Sequence, residues 1–450
     1  MSFRLFPPPA AHKPLLPAER VNSSYWKLRL QVFAGIFLGY TAYYFVRKNF
    51  SFAIPDLIKN EGYTKAELGF AFSALSIAYG FSKFLMGNVS DRSNARIFLS
   101  AGLILSSLTM VCMGLFPFAT SSITVMFVLL FINGWFQGMG WPPCGRVVVH
   151  WYSVRERGTA MSIWNLAHNI GGFLVGPLTI MAIELFMDWH GKLYFPGMVA
   201  IIFSIIAYLL VRDTPQSCGL PPIEAYNNDY PKSYDASQEK ELSAKEIFLK
   251  YVLNNRMLWY IAIANAFVYL VRNGIVNWAP TFLGEAKGYT QVQAAWASSF
   301  YELAAIPGTI LCGVLSDKVF KGRRAPVTII YMTLTFISVL VYWKNPLGGS
   351  QWIQNGSLWA IGFLIYGPVM LIGVQALDLV PKNAAGTAAG LTGLFGYFIG
   401  DLLANAAIGG LVDKYGWDAC FITILIACCL AIFFISFTWN REKRNLIVEE

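Results

Sequence analysis

LWAIGFLIYGPVMLIGVQAL, Leu358–Leu377, runs for twenty residues without a charged side chain. A helix of about 20 apolar residues is what crosses a bilayer core. The run does not alternate apolar with polar residues, as a strand of a membrane barrel would. Working outward from it, comparable runs recur along the whole chain. Twelve spans are expected, at 28–54, 66–88, 97–115, 121–148, 158–186, 193–212, 256–283, 293–315, 326–343, 357–380, 386–411 and 418–439.

Composition agrees. The 450 residues are 56% hydrophobic and 13% charged, against about 25% charged in a soluble domain. The formal net charge of +9 forms no basic stripe on a soluble domain, so a nucleic-acid partner is not expected; the partner is the lipid bilayer. With both termini placed inside, inner segments carry 23 of the 34 Lys and Arg, and outer loops carry 6. That asymmetry favours cytoplasmic termini. The N-terminus has no apolar core and does not read as a cleaved signal. Seven cysteines show no metal-ligand spacing, and most read as small buried hydrophobes. No metal and no cofactor are expected.

The chain divides into a cytoplasmic segment at 1–27, a six-helix bundle at 28–212, a polar linker at 213–255, a second six-helix bundle at 256–439 and a tail at 440–450. The bundles repeat one pattern. Gly87–Arg96 reads GNVSDRSNAR and Gly313–Arg324 reads GVLSDKVFKGRR. Each gives Gly-x-x-Ser-Asp followed by a base, Asp91–Arg92 in one and Asp317–Lys318 in the other. Asp91 and Asp317 are 226 positions apart, half the chain within one residue. A unit used twice is a known way to build a transporter.

The five remaining cations, Arg47, Lys48, Lys83, Arg146 and Arg272, fall inside spans. Arg47 and Arg272 are 225 residues apart and lie at similar depth in the first and seventh spans. Intramembrane charge is costly and marks function by default. Guanidinium is planar, permanently charged and bidentate toward phosphate or carboxylate. Two of them suit a phosphoryl dianion better than a single carboxylate. Lys83 either adds a third cation or snorkels to the inner edge. Tyr40, Tyr43 and Tyr44 precede Arg47 by seven, four and three residues, and Tyr269 precedes Arg272 by three. Tyr79, Tyr301, Tyr366 and Tyr397 lie deep in other spans, where a hydroxyl needs a partner. In the fifth span Trp164 and His168 are four apart, with Asn165 between them. His168 is either a proton-sensitive donor or a packing residue. Buried acids are few: Glu302, Asp378 and Asp401.

Together, the repeated Gly-x-x-Ser-Asp loops and the stretches YYFVRKNF, GWFQGMGWPPCGR, WNLAHNIGG, DTPQSCGLPPIE, IPGTILCGVLSDKVFKG and FLIYGPVMLIG resemble the organophosphate:phosphate antiporters of the major facilitator superfamily. The resemblance covers nearly the whole chain. It implies an all-α membrane protein of two pseudo-symmetric six-helix bundles in a bacterial inner membrane, expected to be monomeric. It also implies exchange of a phosphate ester, glycerol-3-phosphate foremost, for inorganic phosphate, by rocking of the bundles around a central site. Arg47, Arg272, His168, Lys83, Tyr40, Tyr44, Tyr79, Trp164, Asn165, Tyr269, Tyr366 and Tyr397 match the family's binding residues, and Glu302 matches its eighth-span glutamate. The sequence departs from the glycerol-3-phosphate pattern where an aspartate pairs with the first-span lysine, Lys48 here: that position is Asn277 and carries no acid. Gln375 replaces a histidine and Asp378 a glutamate. Asp401 resembles the hexose-phosphate relatives, although Ala404 stands where some of them carry lysine. Hexose 6-phosphate is therefore the alternative substrate. A membrane sensor on the same fold is the alternative class, disfavoured by the lack of an added signalling domain. No nucleophile–base pair suggests an enzyme, and no G-x-x-x-x-G-K-[ST] loop suggests a nucleotide-driven pump.

Overall fold

The structure is a computed structural model. It describes residues 6–91, 93–228, 252–379 and 385–439; at 84, 88, 91, 154, 155, 157, 158, 377, 378, 385–387 and 389 it describes the backbone alone. Ten helical segments of these residues are long and apolar enough to cross a membrane, from Ala95–Leu115 to Trp417–Ser436. Two more long helices, Ala18–Glu61 and Lys65–Asp91, precede them. Among the described residues every regular element is helical. Large apolar side chains such as Ile202, Ile426 and Phe433 stay more than half exposed, as helix faces turned to lipid do.

Local sequence sets the ends. Asn255 accepts from the amides of Met257 and Leu258 at the start of Arg256–Lys287, which ends at Gly288 in the left-handed region. Thr290 and Gln293 form a capping box at the start of Gln291–Val314. Such caps satisfy amides that have no partner within the helix.

Two spans are less regular than expected. The fourth breaks between Ile123–Gln137 and Trp141–Trp151, at Gly138, Met139 and Gly140. A Cβ at Gly138 would overlap the Ser82 hydroxyl oxygen, so glycine permits close approach of the second span. The eleventh contains π-helical segments at Phe395–Asp401 and Leu403–Ala407, and another, Leu315–Val319, lies at the second Gly-x-x-Ser-Asp loop. Such bulges carry an extra residue per turn and often mark functional positions.

By packing, the chain divides into two compact units. One comprises Met1–Phe50 and Phe81–Gln238, the other Ser51–Gly80 and Glu239–Glu450. The later part of the first span and the early part of the second thus pack with the helices that follow the linker. Within this second unit, Lys65 pairs with Glu285 at 3.2 Å, and Gln291 donates to Asp56 at 2.7 Å. A Cβ at Gly69 would overlap the backbone carbonyl oxygen of Asn405.

Candidate substrate-binding site

In the first unit, Arg47 is buried on the first helix, with its guanidinium carbon 5.5 Å from the ring centre of Tyr44. The Tyr44 ring lies 5.7 Å from His168 and 5.9 Å from Tyr40. Tyr40 in turn rests 4.5 Å from Trp164. The Trp164 indole donates to the carbonyl of Ile36 at 3.3 Å, which fixes its ring against the first helix. Trp141 meets Trp164 edge-on at 6.4 Å, and the Lys83 ammonium sits 5.6 Å from the Trp141 ring. Lys83 is therefore tied to the same aromatic wall as Arg47 and His168. Asn165 is exposed beside them. Tyr43 turns elsewhere: its hydroxyl donates to the carbonyl of Leu99 at 2.9 Å.

The turn that carries Arg47 is braced from behind. Asn133 donates to the carbonyl of Val46 at 2.7 Å, and Gln137 to that of Tyr43 at 3.0 Å. Ser106 links the two amides, donating to Asn133 at 2.5 Å and accepting from Gln137 at 2.8 Å. Sequence reasoning missed this set. The available signal was two amides four residues apart, hence on one face, in an otherwise apolar helix. Buried amides are normally hydrogen-bonded, as these are.

In the second unit, Arg272 is buried with a guanidinium nitrogen 2.9 Å from the Tyr366 hydroxyl, to which it donates. That hydroxyl donates onward to the Glu302 carboxylate. The guanidinium carbon also lies 4.2 Å from the Tyr366 ring centre and 5.6 Å from that of Tyr269. Tyr301 donates to the Arg272 carbonyl at 3.3 Å. Tyr397 packs edge-on between Tyr269, at 5.0 Å, and Tyr79, at 4.9 Å. Arginine, tyrosine and glutamate thus form a buried relay, with the acid close enough through Tyr366 to offset the charge of Arg272.

A second polar group lies beside this relay. Asn277 donates to Asn405 at 2.8 Å, and Ser76 donates to the Asp401 carboxylate. Asn405 approaches Ser76 at 3.4 Å and Asp401 at 3.5 Å. Asp401 closes one π segment and Asn405 sits in the next. The network ties Ser76 of the second span to the seventh and eleventh.

Of the repeated loops, Asp317 pairs with Arg324, which also donates to Ser316 at 2.8 Å; Lys318 is exposed. Arg92 and the side chains of Asp91 and Asp378 lie outside the described residues, as does most of the linker. Gln375 donates to Thr438 at 2.9 Å.

Comparison with known proteins agrees with this architecture. The chain is 58% identical over 97% of its length, and 98% of the relative's, to the glycerol-3-phosphate transporter of Bacillus subtilis (strain 168). It is 54% identical over 97% of its length, and 96% of the relative's, to the glycerol-3-phosphate transporter of Haemophilus influenzae. The crystal structure of a bacterial homologue of the human lysosomal transporter Spinster superposes with a TM-score of 0.71, covering 92% of this chain and 96% of that one. At 16% identity, that likeness speaks to the fold alone. Residues 36–404 match the Major Facilitator Superfamily. With twelve long helical segments among its described residues, two internal copies of one loop signature and a buried arginine in each half, the chain is a multi-pass membrane protein of a transporter family, not an enzyme, and it belongs to the Major Facilitator Superfamily.

Proposed function

We propose that this chain exchanges an organic phosphate ester, sn-glycerol-3-phosphate foremost, for inorganic phosphate across a bacterial inner membrane, as a monomer with both termini cytoplasmic. The observation that carries the reading is a buried arginine in each unit, each set among tyrosines: Arg47 with Tyr44, and Arg272 with Tyr269 and Tyr366. The relatives' names support the substrate class. In this reading Arg47 and Arg272 each give a bidentate fork to one phosphoryl group. His168 and Lys83 add donors from the first bundle, and the tyrosine hydroxyls and Asn165 meet the remaining oxygens.

Exchange follows from charge. With Lys83, the two guanidinium groups outnumber Glu302 by two charges, and a positive surplus of that size with no anion opposes rearrangement, because charge in a low-dielectric interior is costly. A bound dianion brings the site near neutrality, and the bundles at 28–212 and 256–439 then rock about it, joined by the 213–255 linker. The Ser76–Asp401–Asn405–Asn277 network and the Lys65–Glu285 pair tie the second-span helix to the later helices. These contacts must part and re-form in each cycle. Glu302 tunes Arg272, Lys48 and Asp378 act at the moving seam, and the Asp91–Arg92 and Asp317–Lys318 loops guide the motion.

The test is counterflow in proteoliposomes loaded with phosphate, comparing labelled glycerol-3-phosphate with glucose 6-phosphate. Faster uptake of glycerol-3-phosphate is expected, with little uptake into phosphate-free vesicles. Preference for the hexose ester would favour the reading carried by Asp401. Rapid net uptake into phosphate-free vesicles would refute obligatory exchange.

A further inference from the structure

Asp213 and Arg146 belong to neither polar cluster of the site, yet both are nearly inaccessible. The Asp213 side chain is fully covered, and Arg146 is 10% exposed. The Arg146 guanidinium reaches Asp213 at 3.3 Å and donates to the carbonyls of Ser90, at 3.0 Å, and Ser93. Those carbonyls close the second span. The other Asp213 oxygen accepts the amide of Ala95, at 3.0 Å, in the first turn of the third span. The cation thus caps a helix C-terminus and the anion a helix N-terminus, the favourable sense at both ends.

One more donor completes the hub, and it comes from far away in sequence. The amide of Ala10 donates to Asp213 at 2.9 Å. The arm around it is fitted at each point. The Phe6 ring packs edge-on against Phe98 at 4.9 Å. The carbonyl of Pro7 accepts from Asn94 at 3.0 Å, while the amides of Lys13 and Leu16 donate to Gln216, at 2.9 Å, and Gly219, at 2.8 Å. The prolines at 7, 8, 9, 14 and 17 hold the arm extended and lower its entropy when free.

Arg146 shares the helix Trp141–Trp151 with Trp141. The Lys83 ammonium lies 5.6 Å from the Trp141 ring, and the same ring meets Trp164 edge-on at 6.4 Å. Five residues of helix, about 7.5 Å at 1.5 Å per residue, separate hub from site wall. We propose that residues 6–17 form a docked strap that closes the Arg146–Asp213 hub and, through the helix Trp141–Trp151, sets the position of the Trp141 wall of the binding site. Arg146, Asp213 and the strap are positioning elements: they act on the site through Trp141.

The test replaces only the donor. Ala10→Pro removes the amide hydrogen that meets Asp213, and Ala10→Ser keeps it. Amide hydrogen exchange at Asn94 and Ala95 is followed in the purified full-length protein. Exchange about tenfold faster in Ala10→Pro than in Ala10→Ser is expected from losing one hydrogen bond to a buried charge. In proteoliposomes, the phosphate KM should rise several-fold while turnover per inserted carrier stays within about twofold, the split expected when ground-state binding is lost. This second readout rests on the proposed exchange activity. If the wild-type protein moves no phosphate, that activity is refuted, and amide exchange alone decides the strap. Equal amide exchange in the two variants overturns the proposal. So does faster exchange with an unchanged KM, whether or not turnover falls.

Discussion

Tyr366→Phe removes one oxygen and leaves the ring. The ring keeps its place 4.2 Å from the Arg272 guanidinium carbon, so the cation–π contact survives. Two hydrogen bonds are lost together: the one Arg272 donates at 2.9 Å and the one donated to Glu302. Each joins a neutral hydroxyl to a charged group, a class worth about 1.5–3 kcal/mol. Without the hydroxyl, Glu302 loses the bond from Tyr366 and Arg272 loses the one it gives to Tyr366, which loosens the angle of its fork. If one such bond's worth of orientation is lost to phosphate binding, affinity falls about tenfold to 150-fold. Titration calorimetry of phosphate into purified wild type and variant measures it, with melting temperature as a control for folding. A double-mutant cycle with Glu302→Gln should show coupling, since both changes break the same relay. A dissociation constant unchanged, or lower, in a folded Tyr366→Phe carrier would refute the relay as an orienting device.

Gly69→Ala places a methyl against the Asn405 carbonyl, and backbone cannot yield as a side chain does. Overpacking of this kind costs about 1–3 kcal/mol, so the melting temperature should drop and exchange should slow; normal values in both would remove the close contact from the account. Asn133→Ala strips the brace from the Val46 carbonyl and should raise the phosphate KM with Arg47 untouched, which homologous exchange kinetics would show. Asn277→Asp puts an acceptor where the side chain now donates to Asn405 at 2.8 Å, and it supplies the acid that the family resemblance leads one to expect as a partner of the first-span lysine. Its effect on exchange rate should shrink when Lys48→Ala is added; an equal effect in both backgrounds means the two residues are not coupled.

Much of this was legible in sequence, because bilayer length and charge inside apolar runs are local signals. Helix spacing put Tyr44 near Arg47, and the structure sets its ring 5.5 Å from the guanidinium carbon; His168, Tyr40 and Trp164 follow from Tyr44 through a chain of ring contacts. Spacing also set Tyr269 near Arg272. It could not show that Tyr43, equally well spaced, turns to Leu99, since that depends on which helix packs there. The partnership of Tyr366 with Glu302 spans 64 residues and has no periodic signature. Nor does the packing of Ser51–Gly80 with the later helices, which rests on close contact at Gly69 and on pairs such as Lys65–Glu285. The π segments escaped for another reason: their composition is that of an ordinary apolar helix.

The central claim is that Arg47 and Arg272 bind the phosphoryl group through planar, bidentate forks. Lysine keeps the charge and loses the fork. The decisive measurement is phosphate:phosphate exchange by purified Arg47→Lys and Arg272→Lys carriers in proteoliposomes, normalised to inserted protein. Near-complete loss in both variants is predicted; exchange close to wild type in either one would contradict the account.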